Sequence, residues 1–176
     1  MGKIDSSIKF ISINIGLITI SDTRNEQNDD SGNILKERIT NFGHIVYTKK
    51  IISDDIEKIK STLNELSDNK SIDAIITTGG TGLTGRDSTP EAIVSLSSKI
   101  IDGFGELFRQ ISYDKIGTST IQSRATAAII NNTYVFSLPG SPGACKDGWD
   151  RILKYQLDIR HKPCNFIEIM PRLKEK

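Results

Sequence analysis

The side chains best suited to chemistry lie together between Asp73 and Glu91, in the run Asp-Ala-Ile-Ile-Thr-Thr-Gly-Gly-Thr-Gly-Leu-Thr-Gly-Arg-Asp-Ser-Thr-Pro-Glu. A short apolar stretch, 72–76, breaks into a loop with four glycines, Gly79, Gly80, Gly82 and Gly85. Thr77, Thr78 and Thr81 stand among the first of them, and Arg86 and Asp87 close the loop. Helix-start chemistry follows: Ser88 or Thr89 as a cap, Pro90 suited to the first helical position, and Glu91 in the first turn. Strand, glycine loop, helix is an order that points bare backbone N–H groups and the positive end of a helix dipole at one spot. Phosphate binds well there. Asp87 ends this loop, so it is the leading candidate for a catalytic carboxylate. Its structural reading is a second capping side chain beside Ser88.

Two commoner glycine patterns fit less well. Gly80-Thr-Gly82-Leu-Thr-Gly85 matches G-x-G-x-x-G, but a dinucleotide site needs a following strand with an acidic residue about 20 positions on. The residue at that distance is Glu106, inside Gly103-Phe-Gly-Glu-Leu-Phe-Arg109, which does not read as a strand. A phosphate loop of the Walker type needs Lys-Ser/Thr after the glycines, and none is present. A plain structural turn needs fewer glycines than these.

The elements that must position the loop are legible along the chain. Asn14 to Ser21 is apolar on both parities, as in a strand buried on both faces of a parallel sheet. Its end, Ser21-Asp-Thr-Arg-Asn25, falls where loops line the crevice of an open α/β sheet. Asp22 there is either a turn-former or a substrate neighbour. Ile34, Leu35, Ile39 and Phe42 form a helical stripe that starts at Asp30 or Ser31 and stops at Gly43. A second strand spans 45–52. A helix follows, with Asp54 at the cap position and Glu57 three residues on as the partner of a capping box. After the central loop the helix continues from Ala92 to Ile100. Another helix runs from Gly103 to Ser112, where Arg109 is a phosphate ligand or a member of an ordinary ion pair. A small-residue helix is expected over 118–129, a strand over 133–138, and a last helix with Trp149, Ile152, Leu153 and Leu157 on its apolar face. Pro139-Gly140-Ser141 opens that helix as a second anion-facing turn or a plain loop. At least four alternations of strand and helix predict an α/β fold with a mostly parallel sheet and helices on both faces.

Thr77 to Asp87 followed by Thr89-Pro-Glu-Ala92 closely resembles the signature of the molybdopterin-binding MoaB/MogA family of molybdenum cofactor biosynthesis. Further segments agree in order, among them Ile20-Ser-Asp-Thr-Arg24, Asp30-Ser-Gly32, Ile116-Gly-Thr-Ser119, Ser123-Arg124 and Leu138-Pro-Gly-Ser-Pro-Gly-Ala-Cys145. The resemblance covers about residue 14 to residue 166, and the tail Leu157 to Phe166 is closer to the MoaB branch. It implies a three-layer α/β/α domain that assembles as a homotrimer or homohexamer. It also implies Mg-ATP-dependent adenylylation of molybdopterin, with ATP and molybdopterin as substrates and Mg²⁺ as cofactor. Asp54 and Asp87 are implied as the catalytic pair and the Mg²⁺ ligands. Two carboxylates suit that ion when phosphate oxygens complete its shell. Some members of the MoaB branch lack the first of these, so its presence favours an active enzyme. The resemblance further implies substrate contacts at Asp22, Thr78, Gly79, Gly80, Thr81, Gly82, Ser112, Ser119, Pro139, Gly140 and Ser141. The alternative reading is a non-catalytic carrier of molybdopterin or its precursor.

Composition sets the bounds. At 176 residues the chain is expected to form one domain, 1–176, with an N-terminal arm over 1–12 and a C-terminal arm over 161–176. A formal net charge of +1 gives no reason to expect a nucleic-acid surface. Cys145 and Cys164 have no metal-ligand spacing with His44 or His161, so free thiols in a reducing cytoplasm are expected. No apolar run approaches a membrane span, and no apolar signal core opens the chain.

Overall fold

The computed structural model describes residues 2–175. Met1 and Lys176, the ends of the two expected arms, lie outside the described residues. Strand β1 (Lys3–Ile4) pairs antiparallel with β8 (His161–Lys162), so the two arms join in a small separate ribbon. The main sheet has six strands: β2 (Asn14–Ile20), β3 (Ile45–Ile52), β4 (Ala74–Thr78), β5 (Lys99–Ile100), β6 (Thr126–Ile130) and β7 (Thr133–Leu138). Their order is β3-β2-β4-β7-β6-β5. The first four are mutually parallel, and β6 and β5 add antiparallel pairings at one side.

Strand parity sorts the core into two layers. Ile15 and Leu17 of β2, Ala74 and Ile76 of β4, and Tyr134 and Phe136 of β7 face one side. They pack with Leu35 and Ile39 of α1 (Asp30–Phe42), Phe104 and Phe108 of α4 (Asp102–Ile116), and Cys145 of α5 (Pro142–Gly148). Helix α5 runs on through a π-helical turn, Trp149–Leu153, to Gln156. Ile18, Ile20, Ile75 and Val135 face the other side, against Ile59 and Leu63 of α2 (Ile56–Asp68) and Ala92 and Ile93 of α3 (Thr89–Leu96). The result is a three-layer α/β/α fold. Fully burying one of these Ile or Leu side chains stabilises it by roughly 1.5–3 kcal/mol. Among the described residues no helix is long and apolar enough to cross a membrane.

From β2 the chain steps to β3 on one side, then returns to place β4 on the other. The C-terminal ends of β2 and β4 are therefore a topological switch point. In open α/β sheets that is where the crevice forms.

Four expectations need correction. The segment 118–129 is not a helix: Gly117–Gln122 is a 3₁₀ turn and Thr126–Ile130 is a strand. Asn131 and Asn132 have φ of 49° and 65°, the two positive values of a type I′ hairpin turn. They fold 126–130 back onto β7, with Ile130 opposite Thr133. Helix α3 ends at Leu96 instead of Ile100, because Ser98 N–H donates to the Ile129 carbonyl and draws 99–100 into the sheet. The α1 cap is Asp29, one residue earlier than expected; its carboxylate accepts from Gly32 N–H. The α2 cap is Asp55, which accepts from Lys58 N–H at 2.8 Å, so Asp54 does not cap the helix.

Candidate active site

The ends of four parallel strands, β4, β3, β2 and β7, build the site. At the first, β4 runs straight into Gly79 and Gly80, whose φ angles of 100° and 62° disfavour any side chain. A Cβ at Gly79 would lie 2.1 Å from the Ile20 carbonyl oxygen of β2, so the loop crosses the neighbouring strand in direct contact. Thr89, fully buried at the start of α3, ties the loop from below. Its hydroxyl donates to the Gly79 carbonyl at 3.1 Å and its N–H to the Gly80 carbonyl at 3.0 Å.

Two carboxylates sit on this loop. Asp54, after β3, places both oxygens 3.1 Å from where a Gly80 Cβ would be. Its Oδ1 is buried and has no hydrogen-bond partner. Burial pushes the Asp54 carboxyl above the usual carboxylate range; the Asp87 and Asp22 charges add to this, while Ser88 N–H and Arg86 partly offset it. Asp87 lies over Gly82, with Oδ2 2.6 Å from the absent Cβ. It accepts from the Thr84 hydroxyl at 2.5 Å and from Thr84 N–H at 3.0 Å. The hydroxyl bond, then the Thr84 and Gly82 backbone bonds and Arg124, hold this carboxyl below its ordinary value despite partial burial. Asp87 therefore does not cap α3, and Ser88 occupies the cap position without a side-chain bond.

The β2 end supplies Asp22. Its carboxylate accepts from Asp54 N–H at 3.2 Å and pairs with Arg86 at 2.6 Å. The last strand end is the turn Pro139-Gly140-Ser141 after β7. Gly140 packs on Gly79, where a Cβ would come within 3.3 Å of the Gly79 α-carbon. Ser31 of α1 donates to the Gly140 carbonyl at 2.8 Å, and Ser141 caps α5.

These parts line one cleft of about 830 Å³. Asp22, Asp54, Gly79, Gly80, Thr81, Gly82 and Asp87 line it, as do Pro139, Gly140 and Ser141. Ser112 of α4 and Ser119 of the following 3₁₀ turn also line it. Thr78 is the candidate the cleft does not include. It is fully buried, with its hydroxyl 3.1 Å from both the Pro139 carbonyl and the Cys145 sulfur. Burial pushes the Cys145 thiol up to about 11. Arg109 does not line the cleft; its carbonyl accepts from Thr120. The cations that do are Arg24 and Lys115. Lys115, paired with Asp147, was missed because the expected helix stopped at Ser112. The spacing Phe108, Ser112, Lys115 on one helix face was the available signal.

Among the described residues no three His, Cys, Asp or Glu side chains close into a ready-made metal cage. What exists is an acidic pair, one member with a buried unpartnered oxygen. That donor set fits Mg²⁺, which keeps few protein ligands and takes the rest from phosphate oxygens and water.

Comparison with known proteins follows the same line. Residues 16–159 match the family described as "Probable molybdopterin binding domain". The chain is 41% identical over 160 residues to molybdenum cofactor biosynthesis protein B of Escherichia coli K12, covering 91% of this chain and 94% of that one. A crystal structure of a molybdenum cofactor biosynthesis protein B superposes with a TM-score of 0.84 at 37% identity, over 94% of this chain and 98% of the other. The tungsten cofactor synthesizing protein MoaB of Pyrococcus furiosus superposes with a TM-score of 0.77 at 36% identity, over 93% and 98%.

Proposed function

The chain belongs to the molybdopterin-binding domain family of molybdenum cofactor biosynthesis, in its MoaB group, and from that premise we propose that it adenylylates molybdopterin with Mg-ATP. The observation that carries this reading is Asp54: a carboxylate not needed as a cap, with a bare buried oxygen, against Gly80 of the same glycine loop whose Gly82 lies under Asp87. A carrier that holds one phosphate group has less need of this pair. A transferase needs it to offset triphosphate charge.

A terminal phosphate oxygen of molybdopterin attacks the α-phosphorus of ATP. The new P–O bond forms as the bond to the β-phosphate oxygen breaks, and pyrophosphate leaves. The attacking phosphate is already ionised, so no general base is required. The loop N–H groups and the start of α3 hold phosphate oxygens. Asp54 and Asp87 would hold Mg²⁺, which supplies charge neutralisation and Lewis acidity. Arg24 adds positive charge on the walls, where Lys115 is already paired with Asp147, and the volume lies in the range of roughly 300–1,000 Å³ typical of small-molecule sites. Positioning and electrostatic stabilisation carry most of the rate. The expected homotrimer or homohexamer belongs to the same proposal. Its support is exposed Tyr113, Ile116 and Ile121, and light scattering of the purified protein tests it.

The test is single-turnover labelling. Purified protein is mixed with molybdopterin, Mg²⁺ and α-labelled ATP, and labelled molybdopterin-AMP is sought, with Asp87→Ala as control. Product from the wild type alone supports the reading. Tight molybdopterin binding without product leaves the carrier in its place.

A further inference from the structure

Residues Leu83 to Arg86 are exposed, yet this loop carries Gly82 and Asp87, which line the cleft. Something must hold it. Arg124, half buried between the 3₁₀ turn and β6, does so with every arm of its guanidinium. Nε donates to the Gly82 carbonyl at 2.8 Å and, more weakly, toward the Thr81 carbonyl at 3.4 Å. One terminal nitrogen donates to the Asp87 carbonyl at 2.6 Å, and the other pairs with Glu91 of α3. The acceptors lie 33 to 43 residues away in sequence. Arg124 is not among the side chains that line the cleft.

Trans peptide geometry gives these bonds a consequence. In each planar unit the N–H points opposite to the C=O. With the Thr81 and Gly82 carbonyls drawn to Arg124, the Gly82 and Leu83 N–H groups point the other way. Gly82 N–H is one of the donors that hold the Asp87 carboxylate. The same guanidinium offsets carbonyl dipoles that would repel an anion, and it fixes the Asp87 backbone directly. Nε and both terminal nitrogens each find their own acceptor, a pattern that suits the guanidinium fork and no ammonium.

We propose that Arg124 is a positioning residue: it templates the 81–87 loop in its anion-ready form and presents Asp87, without touching substrate. Its part in the reaction rests on the adenylyltransferase reading, whereas its part in the loop does not.

Hydrogen exchange read by mass spectrometry on the full chain tests it, using Arg124→Lys and Arg124→Gln. Both variants are expected to speed exchange in the 80–88 segment by roughly tenfold or more, because hydrogen bonds to a charged group are lost there. Exchange in α1 and the central strands should stay at the wild-type rate. In adenylylation, the Mg²⁺ concentration for half-maximal rate should rise by about tenfold, and Arg124→Lys should not rescue it. Wild-type loop exchange and Mg²⁺ dependence in Arg124→Lys would overturn the proposal, since charge alone would then suffice. Faster exchange throughout the protein would also overturn it, by making Arg124 a general strut. If the Arg124 variants do not fold, Glu91→Gln replaces them. It loosens one arm and should speed loop exchange by roughly threefold; an unchanged loop would count against the proposal. An exchange result as expected, beside a wild type that makes no product, keeps Arg124 and removes the transferase.

Discussion

The carboxylate of Asp54 rests on the α-carbon of Gly80, with both oxygens 3.1 Å from the position a Cβ would take. Thr89 Oγ1 lies closer still, 2.2 Å from that position, and the Gly80 φ is 62°. Gly80→Ala must therefore push apart the α3 start and the carboxylate while holding a left-handed backbone. A loss of about 1–3 kcal/mol in urea unfolding is expected. Adenylylation should fall by up to about a hundredfold, because displacement of a positioning group by about 1 Å can have that effect. Gly85→Ala is the matched control. A Cβ there meets nothing within 4 Å, and stability should stay within about 0.5 kcal/mol.

Of the two readings that the sequence allowed for Asp54, the cap belongs to its neighbour Asp55, and the proposed catalytic one stays with Asp54. Asp55→Ala removes the α2 cap and should cost about 1 kcal/mol with activity retained. Asp54→Asn should abolish adenylylation and leave the thermal midpoint unchanged or higher, since it removes a carboxylate crowded by Asp87 and Asp22. The sign with pH is set by the raised folded value. The folded protein holds that proton more tightly than the unfolded chain, so its stabilising contribution is present below 3.8 and is lost as pH rises through the folded value. A urea series without Mg²⁺ should show that loss in the wild type and not in Asp54→Asn.

How much of this was legible follows from which signals are local. Strands β2, β4 and β7 are apolar on both parities, and the glycine loop with its helix start is read from residue types alone. The antiparallel edge was hidden because Thr126–Ile130 is small and apolar enough to suit a helix. Only the positive φ at Asn131 and Asn132 turns it into a hairpin. Asp54 and Asp55 both satisfy the rules for a cap, and tertiary contact with Gly80 decides between them. Lys115 became visible only once α4 ran past Ser112. Arg124 stood in a segment expected to be helical, where its reach to the loop could not be foreseen.

His44 offers a pH test away from the site. It is buried, its Nδ1 accepts from Ile13 N–H at 3.2 Å, and its Nε2 has no hydrogen-bond partner. Burial pushes it down to about 4, with the Leu157 backbone and Asp158 opposing only in part. The unfolded chain binds the proton from about 6.5 downward and the folded protein only near 4. Stability is therefore full above 6.5 and is lost as pH falls toward 4, with a slope of at most about 1.4 kcal/mol per pH unit from this group. His44→Gln retains an acceptor for Ile13. The difference between wild type and variant across pH 4–6.5, measured by urea unfolding, should carry that slope; equal slopes would mean that carboxylates alone drive the acid loss.

Beneath the β2 end, Asp29 is completely buried and joins three elements. Its Oδ1 accepts from Gly32 N–H at 3.0 Å to cap α1. Its Oδ2 accepts from the Thr19 hydroxyl at 2.9 Å and pairs with Lys49 of β3 at 2.7 Å. Lys49 is 18% exposed and also donates to Asn33 Oδ1 at 2.8 Å, so removing Asp29 leaves it only partly uncompensated, and the cost lies at the lower end of the roughly 3–5 kcal/mol for breaking a buried pair. Asp29→Ala should therefore lower stability by about that amount. Lys49→Met should cost less, because Asp29 keeps the Gly32 and Thr19 donors. In the double variant Asp29→Ala with Lys49→Met, the lone cation is gone, and the loss should fall well short of the sum of the two single losses. Losses that simply add would show that Asp29 acts through the α1 cap and Thr19 alone. The α1 start also carries Ser31 to the Gly140 carbonyl. Asp29→Ala should therefore weaken molybdopterin-dependent turnover at temperatures where the protein is still folded, a split that separates the hold on the second turn from global stability.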